Sequence, residues 1–200
     1  MSSMLEMLMG TLGGGAQKQI GRNAGADEGA TAKVISGALP VLLGALSRNT
    51  RDQGGAESLL GALDRDHDGS IMDDLAGYLG KNDTSDGDGV LRHMLGEKRS
   101  RVEQGLGKAS GLDTAAVGKI LATLAPVVLG ALSKQRKEKQ LDASGLAALI
   151  GQDNDEATKK APGTMGLVGS LLDQDGDGQV VDDVFKIGGD LLGGLFGGKK

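Results

Sequence analysis

The chain repeats itself at a spacing of 86 residues. The stretch from Asp27, D-E-G-A-T-A-K-V-I-S-G-A-L-P-V-L-L-G-A-L-S-R, aligns without a gap on the stretch from Asp113, D-T-A-A-V-G-K-I-L-A-T-L-A-P-V-V-L-G-A-L-S-K. Asp27 meets Asp113, Lys33 meets Lys119, Pro40 meets Pro126, Gly44 meets Gly130 and Ser47 meets Ser133. Chance seldom produces a match over 22 consecutive positions, so the chain reads as two related halves. The expected organisation is an apolar, glycine-rich segment over 1–26, a first helical repeat with an Asp-rich loop over 27–110, and a second over 111–200. The second half adds an insertion, its own Asp-rich loop and a glycine-rich tail.

Each copy predicts a helix. Asp27 and Asp113 stand where an N-cap carboxylate accepts from free backbone amides, and small or aliphatic residues follow at helical spacing. Pro40 and Pro126 lack an amide proton and crowd the preceding turn, which predicts two short helices or one bent helix per copy. Further apolar segments follow at Ala56 to Leu63 and Ser144 to Ile150, and short helices are expected over Val90 to Gly96 and Ser100 to Lys108. Lys81 to Gly89 reads as a turn-rich connector. In the second half a polar insertion, Gly151 to Gly163, precedes another apolar segment, Met165 to Leu172.

The only aromatic residues are Tyr78, Phe185 and Phe196, so any core must be built from Leu, Ala, Val, Ile and Met. The fold class that results is all-α, a compact bundle of short, glycine-broken helices with an internal duplication and EF-hand-like Asp-rich loops. The 36 glycines follow no collagen period and fit helix ends and close helix approaches.

The chemistry is concentrated in two loops. The first reads D-R-D-H-D-G-S-I-M-D-D-L from Asp64 to Leu75, and the second reads D-Q-D-G-D-G-Q-V-V-D-D-V from Asp173 to Val184. Carboxylates at positions 1, 3 and 5 can wrap a hard cation that takes six to eight oxygens. These are Asp64, Asp66 and Asp68 in one loop and Asp173, Asp175 and Asp177 in the other. Gly69 and Gly178 fall at the sharp turn of position 6, and Ser70 and Gln179 can offer a backbone carbonyl at position 7. Ile71 and Val180 at position 8 suit an anchor to the core.

Both loops depart from the standard pattern at position 12, where a bidentate Glu is replaced by Leu75 and by Val184. Adjacent acids, Asp73 with Asp74 and Asp182 with Asp183, take its place one and two positions earlier. The expected ligand is calcium, with magnesium as the alternative, bound weakly and in a structural role. The similar run T-S-D-G-D-G-V at Thr84 to Val90 has no acid after it before Glu97 and reads as ordinary turns.

Other chemistries are absent. The chain has no Cys, which removes disulfides and thiolate zinc sites. It shows no G-x-S-x-G elbow, no phosphate loop and no H-E-x-x-H pair, and Gly13 to Gly15 lacks the Lys-Ser/Thr of a nucleotide cradle. The chain is therefore not read as an enzyme. His67 lies inside the first loop and His93 on a helix.

Net charge of -5 argues against nucleic acid, and the basic run Lys134 to Lys139 reads as a solvated helix end. Apolar runs of about 13 residues fall short of a membrane span. A start without a basic region, with Glu6 inside the apolar stretch, predicts no secretory signal and a cytoplasmic place, with non-classical export left open. The apolar, glycine-flanked patches Met4 to Met9 and Leu191 to Phe196 could pack on the core or pair copies into a homo-oligomer.

Four stretches of residues carry a resemblance. P-V-L-L-G-A-L-S-R-N, then G-A-E-S-L-L-G-A-L-D-R-D-H-D-G-S with D-D-L-A-G-Y-L-G, then D-G-D-G-V-L-R-H-M-L-G, resemble the bacterial domain-of-unknown-function family number 937 over about Met4 to Gly151. The resemblance implies a bacterial source and a helical fold, and it transfers no activity, partner or catalytic residue. The leading functional expectation is a non-enzymatic, divalent-ion-stabilised helical protein used for binding or assembly, its protein partner unknown. The alternatives are a calcium-responsive regulator and a membrane-active protein.

Overall fold

The computed structural model describes residues 3–160. Helices account for most of them, and no strand occurs among the described residues. In chain order they are α1 (Met4–Thr11), α2 (Gly15–Ala24), α3 (Glu28–Asn49), α4 (Gln53–Arg65), α5 (Leu75–Lys81), α6 (Ser85–Leu95), α7 (Arg99–Ser110), α8 (Thr114–Lys139) and α9 (Ala143–Lys160). The all-α expectation holds.

Side-chain caps set the starts of six of these helices. Asp27 accepts from Ala30 N at 2.9 Å and Asp113 accepts from Ala116 N at 2.8 Å, as their positions predict. Asp52, Asp74 and Asp142 do the same for α4, α5 and α9. Ser3 and Glu6 form a reciprocal capping box on α1.

Of the two arrangements expected at the prolines, each copy takes the single helix. α3 runs unbroken through Pro40 and α8 through Pro126. The missing proton at Pro126 leaves the Ala122 carbonyl without its helical donor. That carbonyl is met by α6 at Gly87, where any Cβ would overlap the Ala122 oxygen. Next to it, the Thr123 carbonyl accepts from Tyr78 Oη at 3.2 Å. Burial above all pushes the Tyr78 hydroxyl up to about 12, so it stays a donor. In α3 the corresponding carbonyl belongs to exposed Ser36, where water can serve it.

α3 and α8 pack against each other at the centre, and the other helices pack around them. Leu39, Leu42 and Leu43 of α3 and Leu121, Leu124 and Val128 of α8 are fully buried. One apolar cluster joins these to Leu8, Ile20, Leu63, Leu91, Val102, Leu146 and Ile150. α3 and α8 are 22 and 26 residues long, so they extend well past the runs of about 13 apolar residues in the sequence. Both are long and apolar enough to cross a membrane by length and composition. In this fold they are core instead, with 67% and 89% of their most apolar windows buried.

Three local expectations change. The connector over Lys81 to Gly89 shrinks to 82–84, because α6 begins at Ser85. Its acids, Asp86 and Asp88, lie in the first helical turn, where the helix dipole favours them. The polar insertion continues α9 as helix to Lys160, and its Asp153 accepts from Met4 N at 3.0 Å, tying α9 to α1. The N-terminal apolar patch packs inward: Met4, Leu8 and Leu12 are at most 1% exposed, while Met9 is 40% exposed. Met165 to Leu172, the second loop and the patch Leu191 to Phe196 lie outside the described residues.

Candidate functional site

The first Asp-rich loop leaves α4 and rests on the C-terminal half of α8. Two glycines allow the close approach. Gly69 takes φ 95°, a left-handed conformation that suits glycine, and its missing Cβ would lie 3.3 Å from the Gly130 carbonyl oxygen. Gly130 in turn leaves a bare spot on α8 that Ile71 fills, since a Cβ there would overlap Ile71 Cγ2. Ile71, Met72 and Leu75 pack against the core cluster. The anchoring expected of position 8 is therefore present at Ile71.

Past Gly130, α8 turns basic and closes over the loop. Arg136 donates to both oxygens of Asp64, Lys134 Nζ donates to Asp73 Oδ1 at 2.7 Å, and Lys137 Nζ donates to the Asp68 carbonyl at 2.7 Å. Asp73 raises the Lys134 ammonium above its ordinary value. The run Lys134 to Lys139 is thus more than a solvated helix end, because three of its side chains hold the acidic loop. A helix C-terminus also favours positive charge, so helix and loop both stabilise these cations.

Each proposed ligand in this loop has a defined place. Asp68 Oδ1 accepts from Ser70 N at 3.0 Å, and the Ser70 bonds hold its carboxyl below the ordinary value, helped by Lys137. The Ser70 carbonyl, the oxygen offered at position 7, accepts from Asp73 N at 3.0 Å. Asp74 caps α5 through Gly77 N at 2.9 Å. Asp66 ends α4 and lines a cleft of 290 Å³ with His67, Tyr78, Lys81 and Asp86.

The loop therefore brings Asp64, Asp66, Asp68, Ser70, Asp73 and Asp74 onto one segment but turns five of them toward partners in the chain. Among the described residues, no three His, Cys, Asp or Glu side chains are gathered to hold a metal ion. An ion at this loop would have to draw Asp64 from Arg136 and Asp73 from Lys134. Asp173, Asp175, Asp177, Gln179, Asp182 and Asp183 of the second loop lie outside the described residues.

His67 was expected only as a loop residue. Its side chain is 10% exposed, with Nδ1 3.9 Å from Asp86 Oδ2, which links the loop to the first turn of α6. His67 and Asp86 also line a second cleft of 610 Å³ between α4 and α6, together with Ser58 and His93.

Fold and loop together define a small all-helical protein with an acidic loop clamped by a basic helix end. The chain belongs to the family described as bacterial protein of unknown function (DUF937), whose model matches residues 6–135. The match takes in the first loop and Lys134 and stops just before Arg136. Comparison with curated proteins and with solved structures finds no match.

Proposed function

We propose that this chain is a non-enzymatic helical protein for binding or assembly, built of two related halves, whose EF-hand-like Asp-rich loops take calcium, or magnesium, as a weak structural clamp. The observation that carries this reading is that Asp64 and Asp73, at positions 1 and 10, are each held by a cation, Arg136 and Lys134. Five carboxylates within eleven residues repel one another, and positive charge must offset that repulsion. At the first loop the helix end supplies it, and a divalent ion competes for the same oxygens.

Two features make the binding weak. The terminal bidentate Glu is missing, and ion entry costs the Arg136 and Lys134 contacts, so dissociation constants belong in the millimolar range, on the order of 10⁻⁴ to 10⁻³ M. Assembly through the N-terminal patch has little surface to use, because Met4, Leu8 and Leu12 are already in the chain's own core.

The test is a calorimetric calcium titration of the full chain beside Asp66→Ala and Asp175→Ala. Each variant is expected to lose the heat of its own loop, and the wild type to melt higher with millimolar calcium. No heat and no rise in melting temperature at millimolar calcium would end this reading.

A further inference from the structure

We propose that the cleft between α4 and α6 is a binding site for an organic cation with an apolar body. The ammonium group sits at the end lined by Asp66 and Asp86, and the body lies on the apolar floor. This site needs no calcium, although Asp66 also belongs to the first Asp-rich loop.

The cleft is built into the fold. α4 and α6 run antiparallel and are tied together at both ends. At one end Asn49 Nδ2 donates to the Met94 carbonyl at 3.1 Å, at the close of α6. The Asn49 carbonyl oxygen lies against Gly55 at the start of α4, where any Cβ would overlap it. At the other end His67, just past α4, reaches Asp86 in the first turn of α6. Between these ties the helices leave 610 Å³, a volume within the range of small-molecule sites. Asp86 and His93, at the two ends of the α6 wall, are ~10 Å apart along the helix.

The lining is apolar along its length and acidic at one end. Leu46, Leu59, Val90, Met94 and Leu129 form the floor. Asp66 and Asp86 line the acidic end, and neither pairs with a Lys or Arg among the described residues, whereas Asp64, Asp73 and Asp88 each do. Arg65 does not neutralise them, because its guanidinium folds back along α4, with Nη1 3.8 Å from where a Cβ on Gly61 would stand.

His67 is the group that asks for a ligand. Its side chain is 10% exposed, lines the cleft and makes no hydrogen bond among the described residues, which is costly for a polar group so buried. A ligand N–H supplies the donor that a neutral imidazole nitrogen accepts.

These features select the chemistry. An anion would face Asp66 and Asp86, with Asp68 and Asp74 lining the adjoining cleft against Lys81. A metal ion finds no set of three His, Cys, Asp or Glu side chains among the described residues and has no use for an apolar floor. An uncharged ligand leaves both acids unanswered.

Gly89 offers a way to close the site. It lines the cleft midway along α6, and a Cβ there meets nothing within 4 Å, so a larger side chain enters the cleft without displacing the core.

The test uses the full chain in chelator, with octylammonium below its micelle concentration as the probe and octanol and octanoate as matched controls. Calorimetry should show one octylammonium per chain, bound about tenfold more tightly than octanoate, with octanol between them. The Met94 methyl signal should shift in NMR spectra, while that of Met4, buried under α1, stays in place. Gly89→Leu should bind roughly tenfold more weakly and melt no lower than the wild type. Asp86→Asn should weaken octylammonium about threefold to tenfold and leave octanol unchanged.

No heat with octylammonium, equal binding of octanoate, an unmoved Met94 signal, or a folded Gly89→Leu chain that binds as the wild type does would each overturn the site. If Gly89→Leu does not fold, Asp86→Asn decides, and full-strength octylammonium binding by that variant overturns the site as well. Calcium is absent throughout, so the result stands or falls separately from the calcium titration.

Discussion

Arg136 holds Asp64 through both terminal nitrogens, Nη1 to Oδ1 and Nη2 to Oδ2 at 3.3 Å, across 72 residues of chain. The pair fixes the end of α4 to the end of α8 and places the acidic loop between them. Asp64 is 48% exposed and Arg136 21%, so solvent screens much of the attraction. A double-mutant cycle of Asp64→Asn and Arg136→Met should give a coupling of about 0.5–1 kcal/mol in urea melts at low salt. The coupling should fade toward zero at molar salt. No coupling at low salt would mean that the bidentate geometry has no energetic weight.

Two glycines of α6 should answer oppositely to the same substitution. Gly87→Ala drives a methyl into the Ala122 carbonyl, backbone that cannot yield cheaply, and should cost roughly 3 kcal/mol. Gly89→Ala meets nothing within 4 Å and should stabilise by about 0.5–1 kcal/mol through helix propensity. Thermal melts of the two variants decide it, and equal effects would mean that α6 does not approach Pro126 as closely as described.

Asp153 is 6% exposed, and burial raises its carboxyl above the ordinary value, with Glu156 adding and Met4 N and Lys139 opposing. A raised folded-state value means that the ionised form is penalised in the fold. The penalty appears as pH rises from the unfolded carboxylate value through the raised one, and is fully present at neutral pH. Asp153→Asn keeps an acceptor for Met4 N without the buried charge. It should melt at or above the wild type at pH 7, with the gain shrinking as pH falls through the carboxylate range. Asp153→Ala leaves the Met4 amide without that acceptor and should cost about 1–3 kcal/mol. A loss of stability in Asp153→Asn as large as in Asp153→Ala would show that the charge itself is needed.

Much of the helical frame was legible because its signals are local. Asp27 and Asp113 could be read as caps from position, and Ile71 as an anchor from loop spacing. At Pro126 the sequence left two short helices and one bent helix both open, and the choice depends on α6 and α5 meeting the carbonyls of Ala122 and Thr123 from far along the chain. The helix at Ser85 was hidden by glycines that favour turns until packing against α8 overrides them. The clamp was half visible: the basic run Lys134 to Lys139 stood out, but nothing near it in sequence showed that the loop at 64–75 would be its partner.

In the proposed function a divalent ion and the basic end of α8 compete for the first loop. The measurement that tests it most directly is a calcium titration, by calorimetry at low salt, of the full chain and of the Lys134→Met/Arg136→Met double variant, both carrying Asp175→Ala to silence the second loop. Competition requires weak binding that tightens severalfold once the two cations are removed, because Asp64 and Asp73 no longer have to be drawn away from them. Unchanged or weaker affinity in the double variant, or a flat titration in both proteins, would contradict it.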